Sequence, residues 1–183
     1  FFYNGGYREP LDSSMENYHL IASDKIQSFA SQPAMKAREI SNKAVEFIRS
    51  GEYQYGLINF ANADMVGHTG DFQAAVHAVE TIDIALDSIV SAIDEMKVLL
   101  VITADHGNAD QMLIHNCNGR MEINTKHSLN PVPFMIFDPL YNGDYNLKPF
   151  GEDFNNNLSN VAATNLILLG QSVPDDLAPP LFA

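Results

Sequence analysis

The chain has 183 residues, 46% of them hydrophobic, and its 10 basic against 23 acidic side chains give a formal net charge of −13. That is enough apolar material for one domain-sized core, and the acidic balance excludes a nucleic-acid backbone or an anionic membrane as the main partner. An anionic small substrate stays open, because bound divalent cations reverse the local sign.

The single cysteine, Cys117, precludes an internal disulfide and indicates a reducing compartment. No apolar run approaches the roughly 20 residues needed to span a bilayer, and no basic segment leads into an apolar one at the start. The expectation is a soluble, cytoplasmic protein. The chain opens on Phe1-Phe2-Tyr3-Asn4-Gly5-Gly6 without an initiator methionine, which reads as a short strand and turn and as a fragment of a longer chain.

A plausible strand at Tyr18–Ala22 follows, within a mixed, polar segment. From Ser31 a helix is expected: Ser31 can cap it, Pro33 suits its first turn and Gly51 its end, with Ala37, Ile40, Ala44, Val45 and Ile48 facing the sheet. Tyr53 to Phe60 reads as a buried strand. Ala75, Val79, Ile82, Leu86, Ile89, Ile93 and Met96 then recur at spacings of four and three, the stripe of a long packing helix that Asp71 can cap. A strand at Val98–Ile102 follows at once, so this helix is expected to cross over between two parallel strands. Gln111 to Lys126 reads as a polar connection, Phe134–Phe137 as a strand, and Val161–Leu169 as a last helix ended by Gly170. Alternating strands and helices predict a layered α/β/α sandwich with a mainly parallel sheet.

Two stretches carry the chemistry. Ala61-Asn62-Ala63-Asp64-Met65-Val66-Gly67-His68-Thr69-Gly70 and Thr103-Ala104-Asp105-His106-Gly107-Asn108-Ala109-Asp110 each follow an apolar run, where ligands collect in open α/β sheets. Asp64 and His68 are four apart, so one helical turn puts carboxylate and imidazole on the same side. Asp105 and His106 sit together at a strand end, and His127 precedes Asn130-Pro131. Carboxylate with imidazole suits manganese, zinc or iron, and paired sites suit phosphate chemistry. Each piece has a plainer reading, since such pairs also brace helices and Asp-Gly is ordinary turn chemistry. The coincidence at two strand ends favours ligation. His19, His77 and His115 lack such a context and read as surface or core-satisfying, and Cys117 as incidental.

These motifs, with His127 and Asn130-Pro131-Val132-Pro133, resemble the cofactor-independent phosphoglycerate mutases of the alkaline phosphatase superfamily. The resemblance spans the chain, weakest in 7–32 and 111–126. It implies that residues 1–183 are the C-terminal portion of the metal-binding phosphatase domain, with the N-terminal segment and the phosphotransferase domain absent. It also implies two divalent metal ions, usually Mn2+: Asp64, His68 and His127 hold one, and Asp105 and His106 supply two ligands of the other. In that family an aspartate and the nucleophilic serine near the start of the full chain complete the second site. No catalytic residue is therefore expected here, and the substrate contacts are unassigned. The implied parent is a monomer that interconverts 3- and 2-phosphoglycerate through a phosphoserine, while the chain itself is inactive. Departures are Ala63, where the family often has proline, and a longer loop before His127-Ser128-Leu129. Another superfamily phosphomutase or phosphatase, or a non-catalytic metal-binding fragment, is the alternative reading.

Overall fold

The computed structural model describes residues 5–149 and 156–183. The strand expected at Phe1–Tyr3 lies outside them. The chain divides into two compact units, Phe1–Met96 with His106–Pro131, and Lys97–Asp105 with Val132–Ala183.

The first unit is helical at its centre. A short 3-10 helix, Phe29–Ser31, is followed by turns, and α1 runs Ala37–Ser50. The helix therefore starts later than Ser31 and Pro33 indicate: Met35 sits at a φ of 43°, and that left-handed residue keeps the turn after Pro33 from continuing as α-helix. Its end is where the sequence places it, with Gly51 at a φ of 66°. Ala37, Ser41 and Ala44 are its buried residues.

The helix α2 covers Asn62–Gly67, and α3 covers Phe72–Met96. Asp71 does cap α3, since its Oδ1 accepts the Ala74 N–H at 3.0 Å. The buried stripe of α3 is Ala74, Ala75, Ala78, Ala85, Ile89, Ala92 and Ile93. It is rotated from the expected one toward the alanines, leaving Val79 49% exposed. The helices α1 and α3 pack against each other, and the buried residues of α1 and most of those of α3 are alanine or serine; Arg49 joins their C-terminal ends with two bonds to Glu95. Around the first turns of α3, Val66 of α2 and Met112 join Ala74, Ala75 and Ala78 in a core flanked by Phe29, Ala30 and Met35. That core seats α2 on α3.

Residues 111–126 are more ordered than a polar connection. They form a hairpin, β1 at Leu113–His115 and β2 at Met121–Ile123, in register Leu113 with Ile123 and His115 with Met121. Its loop is shaped by Asn116, whose Oδ1 accepts the N–H groups of Asn118 and Arg120, and by Gly119 at a φ of 72°. Cys117 is exposed on this loop, as an incidental cysteine would be.

In the second unit, β3 at Leu100–Thr103 pairs antiparallel with β4 at Phe134–Phe137. The last helix, α4, spans Asn160–Leu168, and Thr164 on its buried side ties it to the C-terminal segment by accepting the Leu181 N–H. Both ladders among the described residues are antiparallel and Leu57–Phe60 forms no strand, so the expected parallel pair of motif-bearing strands is corrected. Tyr18–Ala22 and Tyr53–Phe60 form no strand. Tyr55 and Leu57 are 52% and 54% exposed, so Tyr53–Phe60 is not the buried strand its apolar content predicts. The physical reason is that hydrophobic patterning favours extended backbone without naming a neighbour, and a strand exists only where a second backbone completes its hydrogen bonds. The four-residue apolar run Phe134–Phe137 provides that neighbour for Leu100–Thr103.

Among the described residues, no helix is long and apolar enough to cross a membrane.

Candidate metal centre

The first motif folds as a six-residue helix with two sides. Asn62 and Val66, four apart, are buried, and the Asn62 amide donates to the carbonyls of Pro33 and Ala34 at 2.9 and 2.8 Å. Asp64 and His68 consequently lie together on the other side, half-buried, with the His68 N–H donating to the Asp64 carbonyl as the helix closes. Beyond it, the Thr69 hydroxyl donates to the Val66 carbonyl and Gly70 turns at a φ of 73° into the cap of α3. The motif is thus fixed at both ends.

His106 and His127 arrive on two segments joined by one antiparallel bridge, Gly107 with Ser128, in which the Ser128 N–H donates to the Gly107 carbonyl at 2.8 Å. Their rings stack, with centroids 3.5 Å apart and planes 7° from parallel. The His68 ring lies 5.3 Å from that of His127.

All three approach the same carboxylate region. His68 Nε2 is 3.2 Å and His127 Nε2 3.4 Å from Asp64 Oδ1, and ligand atoms of Asp64, His106 and His127 all fall within 4.8 Å of one another. Yet Asp64 Oδ1 is buried and has no hydrogen-bond partner, so the two imidazole contacts have the length of an ion pair without hydrogen-bond geometry. A buried carboxylate oxygen left in that state costs free energy. One hard anionic oxygen among imidazole nitrogens is a donor set that suits a divalent transition ion, and a cation there would satisfy the orphaned oxygen. The residues fit a metal.

The structure therefore brings together four of the five expected ligands, Asp64, His68, His106 and His127. Asp105 is exposed just beyond β3 and belongs to the second unit. His19 packs edge-on against Phe47, and His77 and His115 are exposed.

Gly67, Asn108, Asp110 and Asn130 were marked by the sequence reading only as parts of motifs. The buried side chain of Asn108 places its amide nitrogen 3.2–3.3 Å from the His68 ring nitrogens, and its Oδ1 has no hydrogen-bond partner. Gly67 makes room for it, since a Cβ there would fall on the Asn108 side chain. Asp110 accepts hydrogen bonds from the Ser128 hydroxyl and the Asn130 amide. Burial raises the Asp110 pKa, but these two donors and the backbone N–H groups of Asp110 and Asn108 outweigh it, leaving the carboxyl below its ordinary 3.8. The available signal was polar side chains at fixed offsets after each histidine, the pattern of groups that orient ligands.

The sequence profile of the metalloenzyme superfamily matches residues 1–173, and the chain belongs to that superfamily, with its alkaline phosphatase-like fold. Its relatives are more particular. The chain is 39% identical over 177 residues to the 2,3-bisphosphoglycerate-independent phosphoglycerate mutase of Gracilaria tenuistipitata var. liui, covering 97% of this chain and 32% of the relative. It is 40% identical over 191 residues to 2,3-bisphosphoglycerate-independent phosphoglycerate mutase 1 of Arabidopsis thaliana, covering 100% and 34%. Among solved structures, the phosphoglycerate mutase of Leishmania mexicana, crystallised at low cobalt concentration, superposes with a TM-score of 0.88 at 34% identity over 100% of this chain and 34% of that one. The chain spans about a third of the length of these relatives.

Proposed function

We propose that this chain carries most of the metal ligands of a phosphoglycerate mutase, in which Asp64, His68 and His127 hold one divalent ion and Asp105 and His106 contribute to a second. The observation that supports this best is the approach of His68 and His127 to a buried Asp64 oxygen that accepts no hydrogen bond, with a His106 ring nitrogen close by. Manganese is the proposed metal and the cytoplasm the proposed location. When bound, the ions supply charge neutralisation for the transferring phosphoryl group. The chain's own residues supply the anionic oxygen and the nitrogens that would hold those ions, on loops tied down by Asn62, Ser128 and Asp110.

The whole reaction, interconversion of 3- and 2-phosphoglycerate through a phosphoserine in a monomeric parent, needs a nucleophilic serine and groups that hold the substrate anion. We place these in the two-thirds of the relatives that this chain does not span. Ser128 is not that nucleophile, because it is buried and its hydroxyl is committed to Asp110. The 183 residues alone accordingly bind metal without mutase turnover.

An assay that consumes 2-phosphoglycerate with enolase tests this. A protein containing this chain together with the parts matching the rest of the relatives should turn over 3-phosphoglycerate with manganese and stop when a chelator is added. The isolated chain should read background. Turnover by the isolated chain, or none by the longer protein under any divalent metal, would refute the assignment.

A further inference from the structure

We propose that Asp110 is a positioning residue that clamps the His106 segment to the His127 segment through Ser128 and Asn130, and so sets how the two imidazoles are presented. The consequence for metal affinity rests on the metal-centre reading above; the clamp itself does not.

His106 and His127 each immediately precede one partner of the Gly107–Ser128 bridge. A single bridge leaves two loop segments free to twist against each other, because one pair of backbone groups fixes a contact but no direction. Asp110 supplies what the bridge lacks. Four residues after His106, its Oδ2 accepts the Ser128 hydroxyl at 2.7 Å and also the Asn130 amide, one and three residues after His127. The Ser128 hydroxyl in turn accepts the Asn130 N–H at 3.4 Å. These bonds cross between the same two segments as the bridge, so both histidine backbones are held in one frame. Charge-assisted bonds of this kind are stronger than neutral ones.

Gly107 is part of the device. A Cβ there would lie 2.6 Å from Asp110 Oδ1 and fall on the Ser128 hydroxyl, so only glycine lets carboxylate and hydroxyl close over the backbone beside His106. Both Asp110 and Ser128 are spent on this frame, and the converging ligand atoms come from Asp64, His106 and His127 instead. A partner of this kind acts on a metal through the ligand it orients, and its loss typically weakens binding by about 10–100-fold.

The test compares Asp110→Ala, Asp110→Asn and Arg49→Ala in the 183-residue chain. Arg49→Ala removes the two bonds to Glu95 that join α1 to α3 and serves as a control that loosens the same unit away from both the clamp and the ligands. Two readouts are taken where each variant is fully folded: imidazole resonances of the metal-free chain, and calorimetric titration with manganese. Asp110→Ala should move the His106 and His127 ring resonances away from their stacked positions and weaken manganese about 10–100-fold. Asp110→Asn keeps an acceptor oxygen and should recover most of that loss, while Arg49→Ala should change neither readout. If Asp110→Ala fails to fold, Ser128→Ala, which removes one donor, should give a smaller change in the same direction. Unshifted rings in Asp110→Ala, or in Ser128→Ala where that variant replaces it, overturn the clamp, as does an equal effect from Arg49→Ala. Shifted rings in a chain that takes up no manganese would support the clamp and refute the metal reading.

Discussion

Asp64→Ala is expected to abolish the tight phase of a manganese titration, a larger effect than the roughly 10–100-fold cost of losing a supporting partner. The carboxylate is the anionic member of the cluster, and its Oδ1 is the atom that both His68 and His127 approach, at 3.2 and 3.4 Å. Without it the site is a set of neutral or repelling imidazoles, which hold a divalent ion less well than a mixed oxygen–nitrogen set. In the metal-free chain the same substitution should cost little stability or add some, because it removes a buried oxygen that has no hydrogen-bond partner. Opposite signs for affinity and apo stability distinguish a ligand from a structural aspartate. Strong destabilisation of the apo chain with unaltered manganese binding would show that Asp64 is structural.

Asn62→Leu should do the reverse, lowering stability by about 1–3 kcal/mol while leaving the ligand set chemically intact. Asn62 is 1% exposed, and its amide donates to two backbone carbonyls, of Pro33 and Ala34. Leucine fills a similar volume but takes this donor from the Pro33 carbonyl, a loss of about 1–3 kcal/mol, whereas the Ala34 carbonyl still accepts the Ala37 N–H. These bonds also hold α2, and with it Asp64, against the chain before α1. Chemical denaturation measures the effect directly, and a change below about 0.5 kcal/mol would mean that α2 is held by Val66 and its apolar neighbours alone.

The candidate site was legible in the sequence because its proposed ligands are packed into short motifs with local geometry. Asp64 and His68 are one helical turn apart wherever a helix forms, and the start of α3 is written in Asp71. The bridge that sets His106 beside His127 was not legible, since it joins residues 21 positions apart through backbone groups that every sequence has. The strand pairing was missed for the same reason. A strand was expected at Val98–Ile102 and lies at Leu100–Thr103, but nothing in its side chains states that Phe134–Phe137, rather than Leu57–Phe60, completes its ladder.

Two misses had a signal that was present. Asn118-Gly119 between Leu113–His115 and Met121–Ile123 is ordinary hairpin chemistry, obscured by the polarity of the surrounding loop. The small residues of α3 at positions 74, 78, 85 and 92 form a stripe of their own, and they are buried where the larger residues at 79, 82 and 86 are not. Asp110 had the weakest signal, because its partners Ser128 and Asn130 are distant in sequence and identify it only once the loops have met.

The central claim is that Asp64, His68 and His127 surround one metal position, beside the ring of His106 that stacks on His127. Crystals of the chain soaked in manganese and measured at the manganese absorption edge test it most directly. The account predicts an anomalous peak within bonding distance of an Asp64 oxygen and of the His68 and His127 imidazole nitrogens. A peak held by other residues, or none beside Asp64 at saturating manganese, would contradict it.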